Sequence, residues 1–331
     1  MSIDQAPFAG LTPDVVLESV ESIGLRTDGR QLALNSYENR VYQIGIEDNT
    51  LLIAKFYRPS RWSDVAIGEE HAFTTELATS EIPVIAPLAF GDKTLHRHQD
   101  FRFALYPRRG GRAPELGDEH ILAWMGRIIG RIHQIGARKA FVERPSLNIE
   151  SFGIEPRDWL LSHNFLPSDL VEAWRTTVDM ALEGTRHCFA RAGDIRVLRL
   201  HGDCHGGNVL WTDAGPHFVD FDDARMGPAV QDLWLLLSGE RNAMEQQLAV
   251  VLRGYEQFRE FDRRELYLIE ALRTLRLIHY AAWIARRWND PAFPAAFTWF
   301  NTSRYWQERI LELKEQIALM EEPPLAPDAC Y

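Results

Sequence analysis

The stretch HGDCHGGNVLW, residues 201–211, places a run of small and polar side chains between two apolar segments. Its glycines predict a tight loop, because glycine lets the backbone turn sharply and come close to its neighbours. The loop suggests two different kinds of chemistry. Its histidines and cysteine suggest a metal held by nitrogen and sulfur, whereas Asp203 and Asn208 suggest ligands that are oxygen atoms.

A structural zinc site usually has four Cys or His ligands, often in CxxC spacing. The chain has three cysteines, Cys188, Cys204 and Cys330, and no CxxC pair. No second cluster of cysteine and histidine accompanies the loop, so a zinc-binding module is not the favoured interpretation. We expect Cys204 to pack inward as a small apolar side chain.

The oxygen ligands fit a more specific pattern. Asp203 and Asn208 are five residues apart. In the protein-kinase catalytic loop, an Asp that accepts the substrate hydroxyl proton is followed at this spacing by an Asn that binds magnesium. A second carboxylate, Asp220, follows the apolar run HFV at a predicted turn. Since magnesium prefers hard oxygen ligands, we predict that Asn208 and Asp220 bind Mg²⁺. Asp203 and Asp220 are the predicted catalytic residues, and Asp222 stays open between a metal contact and a structural role.

Up to about residue 107, short strand-like runs surround one helical segment. They predict a hairpin over 30–48, strands over 50–59, 82–90 and 101–107, and a helix over 63–80 that Ser63 caps. Lys55 lies in an apolar strand, and a kinase needs such a lysine for the nucleotide phosphates. Glu69 and Glu70 lie on the next helix, and we favour Glu70 as the partner of Lys55. The hairpin tip that contains Ser36 is either a phosphate-binding loop or an ordinary polar turn.

From about residue 119 the pattern is mostly helical. Periodic apolar residues predict helices over 119–136, 158–184 (two, split near Pro167), 230–239, 244–258, 263–288 and 304–320, with a β-like island over 195–224. Asp232 is predicted to cap the helix that begins there. Residues 108–112, RRGGR, form the candidate linker. The predicted fold class is α+β and bilobal, with a small β-rich lobe at 1–107 around one main helix and a large helical lobe at 108–331.

The bulk composition disfavours several classes of protein. The 331-residue chain is 46% hydrophobic and has a formal charge of −11, which argues against nonspecific binding to nucleic acid or to anionic membranes. The first ten residues lack the features of a signal peptide. The longest apolar segment, 266–288, is interrupted by Glu270, Arg273 and Arg276, so it predicts a buried helix rather than a membrane span. We expect a cytoplasmic protein.

Several motifs together resemble a known family. HGDCHGGN, VDFDDA and GPAVQDLW are similar to the motifs of the aminoglycoside phosphotransferase/choline kinase-like branch of the protein-kinase fold. SYENRVYQ, KFYRPxRW, EEHxF and RRWxDPAFP narrow the resemblance to the stress response kinase A family, which consists of bacterial cytoplasmic Ser/Thr protein kinases. The resemblance extends from about residue 11 to about residue 325.

The resemblance implies a bilobal kinase that uses ATP and Mg²⁺ to phosphorylate a protein hydroxyl, its own included, with Asp203 as the base. It also implies nucleotide contacts: Ser36 at the phosphates, Lys55 and Glu70 as the positioning pair, Tyr106 beside the adenine and His205 facing the γ-phosphate. His205 stands where many protein kinases have a lysine, and this departure leaves the acceptor class open. The resemblance also implies that Asp232 braces the backbone of the catalytic loop. We expect a monomer.

Two alternatives belong to other functional classes. A small-molecule kinase of the aminoglycoside, choline or homoserine kinase type would share every catalytic residue. A non-catalytic nucleotide-binding scaffold would be expected to lack at least one of Lys55, Asp203, Asn208 and Asp220, and all four are present. The nature of the acceptor is therefore the main question that the sequence leaves open.

Overall fold

The structure is a computed structural model, and it describes residues 6–327. The chain forms two compact units. Unit 1 comprises the residues up to Pro114 together with Gly207–Asp222, and unit 2 comprises Glu115–Gly206 together with the residues from Asp223 onward. Residues 207–222 are thus grouped with the N-terminal part of the chain. The division into lobes after residue 107 stays a prediction, and Cys330 lies outside the described residues.

Unit 1 contains a five-stranded antiparallel sheet with the strand order β1-β2-β3-β5-β4. Its strands are β1 (Thr27–Leu34), β2 (Arg40–Ile46), β3 (Leu51–Phe56), β4 (His96–His98) and β5 (Phe101–Pro107). The pairing of β1 with β2 confirms the predicted hairpin. The strands predicted over 50–59 and 101–107 are confirmed as β3 and β5, whereas β4 is too short to stand out in the sequence pattern.

Strand β3 separates an apolar face from a charged one. Ala54 and Phe56 are buried in the hydrophobic core of unit 1. Because side chains alternate along a strand, Lys55 points to the opposite face. Helix α1 (Pro13–Glu21), which the sequence analysis does not predict, packs two valines against the same core.

Helix α2 (Asp64–Thr79) confirms the helix predicted over 63–80. Ser63 is its N-cap, since the serine hydroxyl accepts a hydrogen bond from the Ala66 backbone N–H at 3.0 Å. The buried side of α2 includes Glu70 as well as apolar residues. The helix therefore carries a carboxylate into the interior of unit 1.

The prediction of a strand over 82–90 is wrong. This segment forms only isolated bridges, one of them between Val84 and Phe218. Pro83 and Pro87 have no backbone N–H to donate to a neighbouring strand, so a continuous ladder cannot form here. The apolar side chains of the segment are responsible for the strand-like pattern.

The predicted β-like island over 195–224 contains strands of two antiparallel pairs. In unit 1, β7 (Val209–Thr212) and β8 (Gly215–Phe218) form a hairpin. In unit 2, β6 (Val197–Leu200) pairs with β9 (Arg225–Pro228). The prediction is confirmed for three of these strands, and β9 begins just after the predicted stretch.

Unit 2 is mostly helical. Its helices are α3 (Glu119–Gly136), α4 (Glu155–Ser162), α5 (Val171–Ala192), α6 (Val230–Trp234), α7 (Arg241–Tyr255), α8 (Ile269–Ala285), α9 (Ala292–Ala296) and α10 (Ser303–Glu321). Helix α6 is shorter than the helix predicted over 230–239, and a 3₁₀ segment precedes α8 within the helix predicted over 263–288. The other predicted helices are confirmed. Helix α9 is not predicted from the sequence. Within residues 6–327, no helix is long and apolar enough to cross a membrane.

Helices α3 and α7 approach closely because glycines line their contact. A Cβ atom at Gly126 would lie 2.1 Å from the Val251 carbonyl oxygen, and one at Gly254 would lie 2.1 Å from the Ala123 carbonyl oxygen. No larger residue fits these spaces without moving a backbone. The approach matters for the site, because both helices supply side chains to a buried network that braces the loop at 201–208.

Candidate active site

Lys55 lies among three carboxylates in unit 1. Its Nζ is 2.9 Å from Asp220 Oδ1, 3.3 Å from Asp222 Oδ1 and 4.0 Å from Glu70 Oε1. The lysine side chain is 8% exposed, whereas that of Asp220 is 53% exposed. Burial alone would lower the pKa of Lys55, but the carboxylates outweigh it and raise that pKa well above its usual value. Lys55 is therefore charged, and the glutamate beside it is Glu70.

Two arginines extend this charged group toward the loop between β1 and β2. Arg61 forms an ion pair with Asp222 and lies 3.6 Å from Glu38 Oε2. The Nε atom of Arg58 lies 2.9 Å from Glu38 Oε1. The side chains of these two arginines, Glu38 and Asp222 are nearly buried. We call the complete group the lysine cluster: Glu38, Lys55, Arg58, Arg61, Glu70, Asp220 and Asp222.

Hydrogen bonds within the hairpin tip that contains Ser36, and from Arg58, fix the shape of the tip. Ser36 Oγ donates a hydrogen bond to the Asn39 carbonyl oxygen at 3.2 Å, and the Arg58 backbone N–H donates to Asn39 Oδ1 at 3.1 Å. Arg58 Nε also donates to the Glu38 carbonyl oxygen at 2.9 Å. The tip contains no glycine, so these contacts shape it. A phosphate contact of Ser36 stays a prediction.

Tyr106 lies on β5 opposite Ile53. Its hydroxyl is 2.9 Å from the Tyr57 hydroxyl, which in turn is 2.7 Å from His71 Nε2. Burial raises the pKa of Tyr106 above its usual value. The hydroxyl therefore belongs to an internal hydrogen-bond network, and the predicted adenine contact of this residue stays a prediction.

Asn208 and Asp220 flank the β7–β8 hairpin. The Val219 backbone N–H donates to the Asn208 carbonyl oxygen at 3.0 Å, so the residues that precede β7 and follow β8 lie side by side. Asp220 has a φ of 59°, in the left-handed region that Asp tolerates better than most residues. Such strained backbone is often found where a side chain must point in a functional direction.

The donor set of these two residues fits a magnesium ion. Both can present hard oxygen atoms, and magnesium is commonly held by one or two carboxylates together with substrate phosphates. Within residues 6–327, no group of three or more His, Cys, Asp or Glu side chains is arranged to hold a metal ion. A magnesium role of Asn208 and Asp220 stays a prediction.

Asp203 lies in unit 2, three residues after β6, and two side chains flank its carboxylate. Arg276 Nη1 is 2.8 Å from Asp203 Oδ1, and His205 Nε2 is 3.4 Å from Asp203 Oδ2. Burial favours the neutral acid, but the hydrogen bond from His205 and the charge of Arg276 outweigh it and hold the pKa of Asp203 well below its usual range. We call these three residues the base cluster, because Asp203 is the predicted base.

The Asp232 side chain holds the backbone at the start of the loop. Its carboxylate accepts hydrogen bonds from the His201 N–H at 2.8 Å and the Gly202 N–H at 2.9 Å. His133 Nε2 lies 3.0 Å from Asp232 Oδ2, and Tyr255 Oη lies 3.0 Å from His133 Nδ1. The predicted bracing by Asp232 is confirmed. Its predicted capping role is wrong, because Asp232 lies inside α6 rather than before it.

Cys204 is fully buried. Burial raises the pKa of its thiol well above the usual value, and the nearby carboxylates of Asp232 and Asp203 add to the effect. Because the thiolate is the reactive form of cysteine, this thiol is unreactive. The expectation that Cys204 packs inward is confirmed.

Comparisons with known proteins place this geometry in a family. The model of the phosphotransferase enzyme family matches residues 30–269. The chain is 45% identical to stress response kinase A of Escherichia coli strain K12 over 319 residues, which covers 96% of each protein. The chain belongs to the stress response kinase A family of phosphotransferases. A further relative, 44% identical over 318 residues and 96% of each protein, is the serine/threonine protein kinase RdoA of Salmonella typhimurium strain LT2.

Solved structures share the fold of this kinase family at low sequence identity. An amicoumacin kinase in complex with AMP-PNP, Ca²⁺ and Ami has a TM-score of 0.70 at 19% identity and covers 93% of each chain. A microcompartment-associated aminopropanol kinase has a TM-score of 0.69 at 17% identity and covers 93% of this chain and 97% of that chain. These likenesses confirm the protein-kinase-like fold with a β-rich part and a helical part.

Three arginines that the structure places at these clusters have no role predicted from the sequence. Arg58 and Arg61 stand in KFYRPxRW, which serves only as a motif of the stress response kinase A family. In the sequence, Arg276 is noted only as a charge that interrupts the apolar segment 266–288. A charged residue inside such a helix is itself a signal, since it needs a partner of opposite charge when the helix is packed.

Proposed function

We propose that the protein is an ATP- and Mg²⁺-dependent serine/threonine protein kinase of a bacterial stress response. One observation carries the proposal: the Asp203 carboxylate is ionised, 23% exposed and fixed on a loop that Asp232 holds. A general base must be deprotonated at the working pH and must be reachable by the group that it deprotonates. The names of the relatives support the kinase activity and the stress response.

In the proposed reaction, the hydroxyl oxygen of a Ser or Thr side chain attacks the γ-phosphorus of ATP. The bond between that phosphorus and the β-phosphate oxygen breaks, ADP leaves with the electron pair, and Asp203 takes the hydroxyl proton. The Lys55 ammonium, which Glu70 helps to hold, offsets the charge of the α- and β-phosphates. Most of the acceleration comes from positioning and electrostatics.

The remaining predicted residues complete the nucleotide site. Ser36 would bind the phosphates, Tyr106 would border the adenine, and His205 would face the γ-phosphate. Asn208 and Asp220 would hold a magnesium ion, which neutralises phosphate charge when it is bound. The amicoumacin kinase, which has the same fold, was solved with AMP-PNP and Ca²⁺, and this supports a nucleotide and a divalent ion for this chain.

We further propose a cytoplasmic monomer that phosphorylates a protein substrate, itself included. Cys188 and Cys204, the two cysteines of the described chain, are free and buried. Free cysteines are typical of a reducing compartment, which supports the cytoplasm.

The experiment that tests the base is Asp203→Asn, which keeps the shape of the side chain. We expect transfer from labelled ATP to a protein acceptor to fall by roughly 10²–10⁴-fold, the usual contribution of a general base, while ATP binding is retained. Asp213→Asn is the matched control, because Asp213 is exposed in the β7–β8 turn. An Asp203→Asn protein with wild-type turnover would exclude Asp203 as the base.

A small-molecule kinase is the second candidate, and the fold neighbours favour it. The solved structures of similar fold include an amicoumacin kinase and an aminopropanol kinase. The assay should therefore include protein acceptors and small alcohols side by side. Label on small alcohols alone would favour this candidate.

A further inference from the structure

Arg276 brings a permanent positive charge to the carboxylate that we propose as the base. The residue lies on α8, and its Nη1 atom is 2.8 Å from Asp203 Oδ1. Its side chain is 39% exposed. An arginine stays protonated at every working pH. A hydroxyl acceptor in contact with Asp203 would therefore lie close to a fixed cation.

Two other carboxylates near the loop, those of Asp223 and Asp232, already have donors. Asp223 Oδ1 is 2.6 Å from Arg225 Nη2. Asp232 is buried and accepts from two backbone N–H groups. An ammonium group on an acceptor would therefore have to compete with an existing cation for Asp203 or Asp223, and with backbone N–H groups for Asp232.

We propose that Arg276 selects the acceptor by charge: it disfavours hydroxyl acceptors with a cationic amine near the hydroxyl and favours acceptors with a carboxylate there. Nη1 holds Asp203, and the guanidinium has further N–H groups that suit a carboxylate. The inference rests on the proposed function, because it treats Asp203 as the base.

The expected size of the selection follows from Coulomb's law. Two like charges about 6 Å apart at an effective dielectric constant near 20 repel each other enough to reduce binding about 100-fold. Solvent screening around a partly exposed side chain reduces the expected effect to roughly 10-fold. A change of this size is easily measured as a ratio of kcat/KM values.

Two matched pairs of acceptors test the proposal. One pair is a Ser peptide flanked by glutamates and the same peptide flanked by lysines; the other is glycolate and ethanolamine. We expect the wild type to prefer the anionic member of each pair that it phosphorylates. Arg276→Gln should reduce that preference about 10-fold, whereas Arg276→Lys should retain most of it. Arg273→Gln is the matched control, because this arginine on the same helix pairs with Glu270, and its ratio should equal that of the wild type.

An unchanged ratio in Arg276→Gln, or a wild type that prefers the cationic member, would overturn the proposal. If Arg276→Gln does not fold or turn over, the wild-type ratio decides. A charge-based preference must shrink between about 0.05 M and about 0.5 M salt, and a ratio that is independent of salt would also overturn the proposal. If only glycolate or ethanolamine is labelled, the protein-kinase function is contradicted but the proposal for Arg276 is not. The ratio between these two small acceptors then still tests Arg276.

Discussion

The lysine cluster and the base cluster both combine carboxylates with cations, but they differ in burial and in balance. The lysine cluster matches three cations to four carboxylates, and only Asp220 is substantially exposed. The base cluster gives one carboxylate an arginine and a histidine, and all three side chains are partly exposed. The first arrangement is suited to holding a geometry, and the second is suited to tuning the carboxylate that we propose as the base.

The contrast is sharpest for two Arg–Asp pairs. Arg61 meets Asp222 where both side chains are nearly buried, whereas in the pair of Arg276 and Asp203 both side chains are partly exposed. Removing one partner of a buried pair leaves an uncompensated charge in a medium of low dielectric constant. Removing one partner of a partly exposed pair costs less, because water solvates part of the other. The Arg61–Asp222 pair should therefore govern the stability of unit 1, and the Arg276–Asp203 pair should govern the reactivity of the proposed base in unit 2.

The largest expected effect is the loss of stability in Arg61→Met. We expect the free energy of unfolding to fall by about 2–4 kcal/mol, because Asp222 and Glu38 each lose a buried cation. Chemical unfolding of the full chain measures this. Arg97→Met is the matched control, since Arg97 pairs with Asp64 in an exposed position and should cost less than about 1 kcal/mol. Equal stabilities of the two variants would contradict a structural role for the lysine cluster.

Glu265, a buried carboxylate outside both clusters, tests whether nearby cations are needed to keep a buried carboxylate ionised. This glutamate is buried and accepts a hydrogen bond from the Val230 N–H at 2.8 Å, and burial raises its pKa to about 7 from an ordinary value of 4.5. The folded state therefore holds this proton more tightly than the unfolded state, and stability falls as the pH rises from 4.5 to about 7.

Glu265→Gln removes the titrating group and keeps an oxygen that can accept the hydrogen bond. We expect this variant to gain about 3 kcal/mol of unfolding free energy at about pH 8 and to gain nearly nothing at about pH 4. Glu172→Gln, at an exposed position, is the control. A gain that does not depend on pH would contradict the assignment of the raised pKa to Glu265.

The smallest effect concerns the pH dependence of activity in Arg276→Gln. The pKa of Asp203 lies below its usual range, so this group stabilises the fold above its ordinary pKa and loses that contribution only as the pH falls further. Loss of the Arg276 charge should raise the pKa of Asp203 and move the acid limb of kcat/KM upward by about one pH unit. A pH series for kcat/KM measures the limb, with Arg273→Gln as control. An acid limb at the same pH in all three proteins would show that Arg276 does not act on the base.

The local elements were predictable where one periodicity dominated. Ser63 and the residues after it combine a cap with a helical pattern, and α2 forms there. The apolar run at 82–90 misled the prediction, because Pro83 and Pro87 prevent a ladder although their neighbours favour a strand. Strand β4 is too short to have a pattern of its own.

The site was predictable only as a set of residue types. Lys55, Asp203, Asn208 and Asp220 stand in motifs, so the sequence points to them, although their roles stay predictions. Arg58 and Arg61 also stand in a motif, and Arg276 interrupts an apolar helix, but neither signal shows which residues they contact. Their significance lies in the carboxylates that they meet, and those carboxylates are distant in the sequence.

By itself, the sequence determined where most helices and strands form and which residues were candidates for chemistry, because periodicity, capping and motif spacing are local properties. Only the tertiary structure decided which charges meet. Lys55 and Asp220 are 165 residues apart, and Arg61 and Asp222 are 161 residues apart. Whether such a pair stabilises the fold or tunes a reactive group depends on distance and burial in space, and no local pattern encodes either quantity.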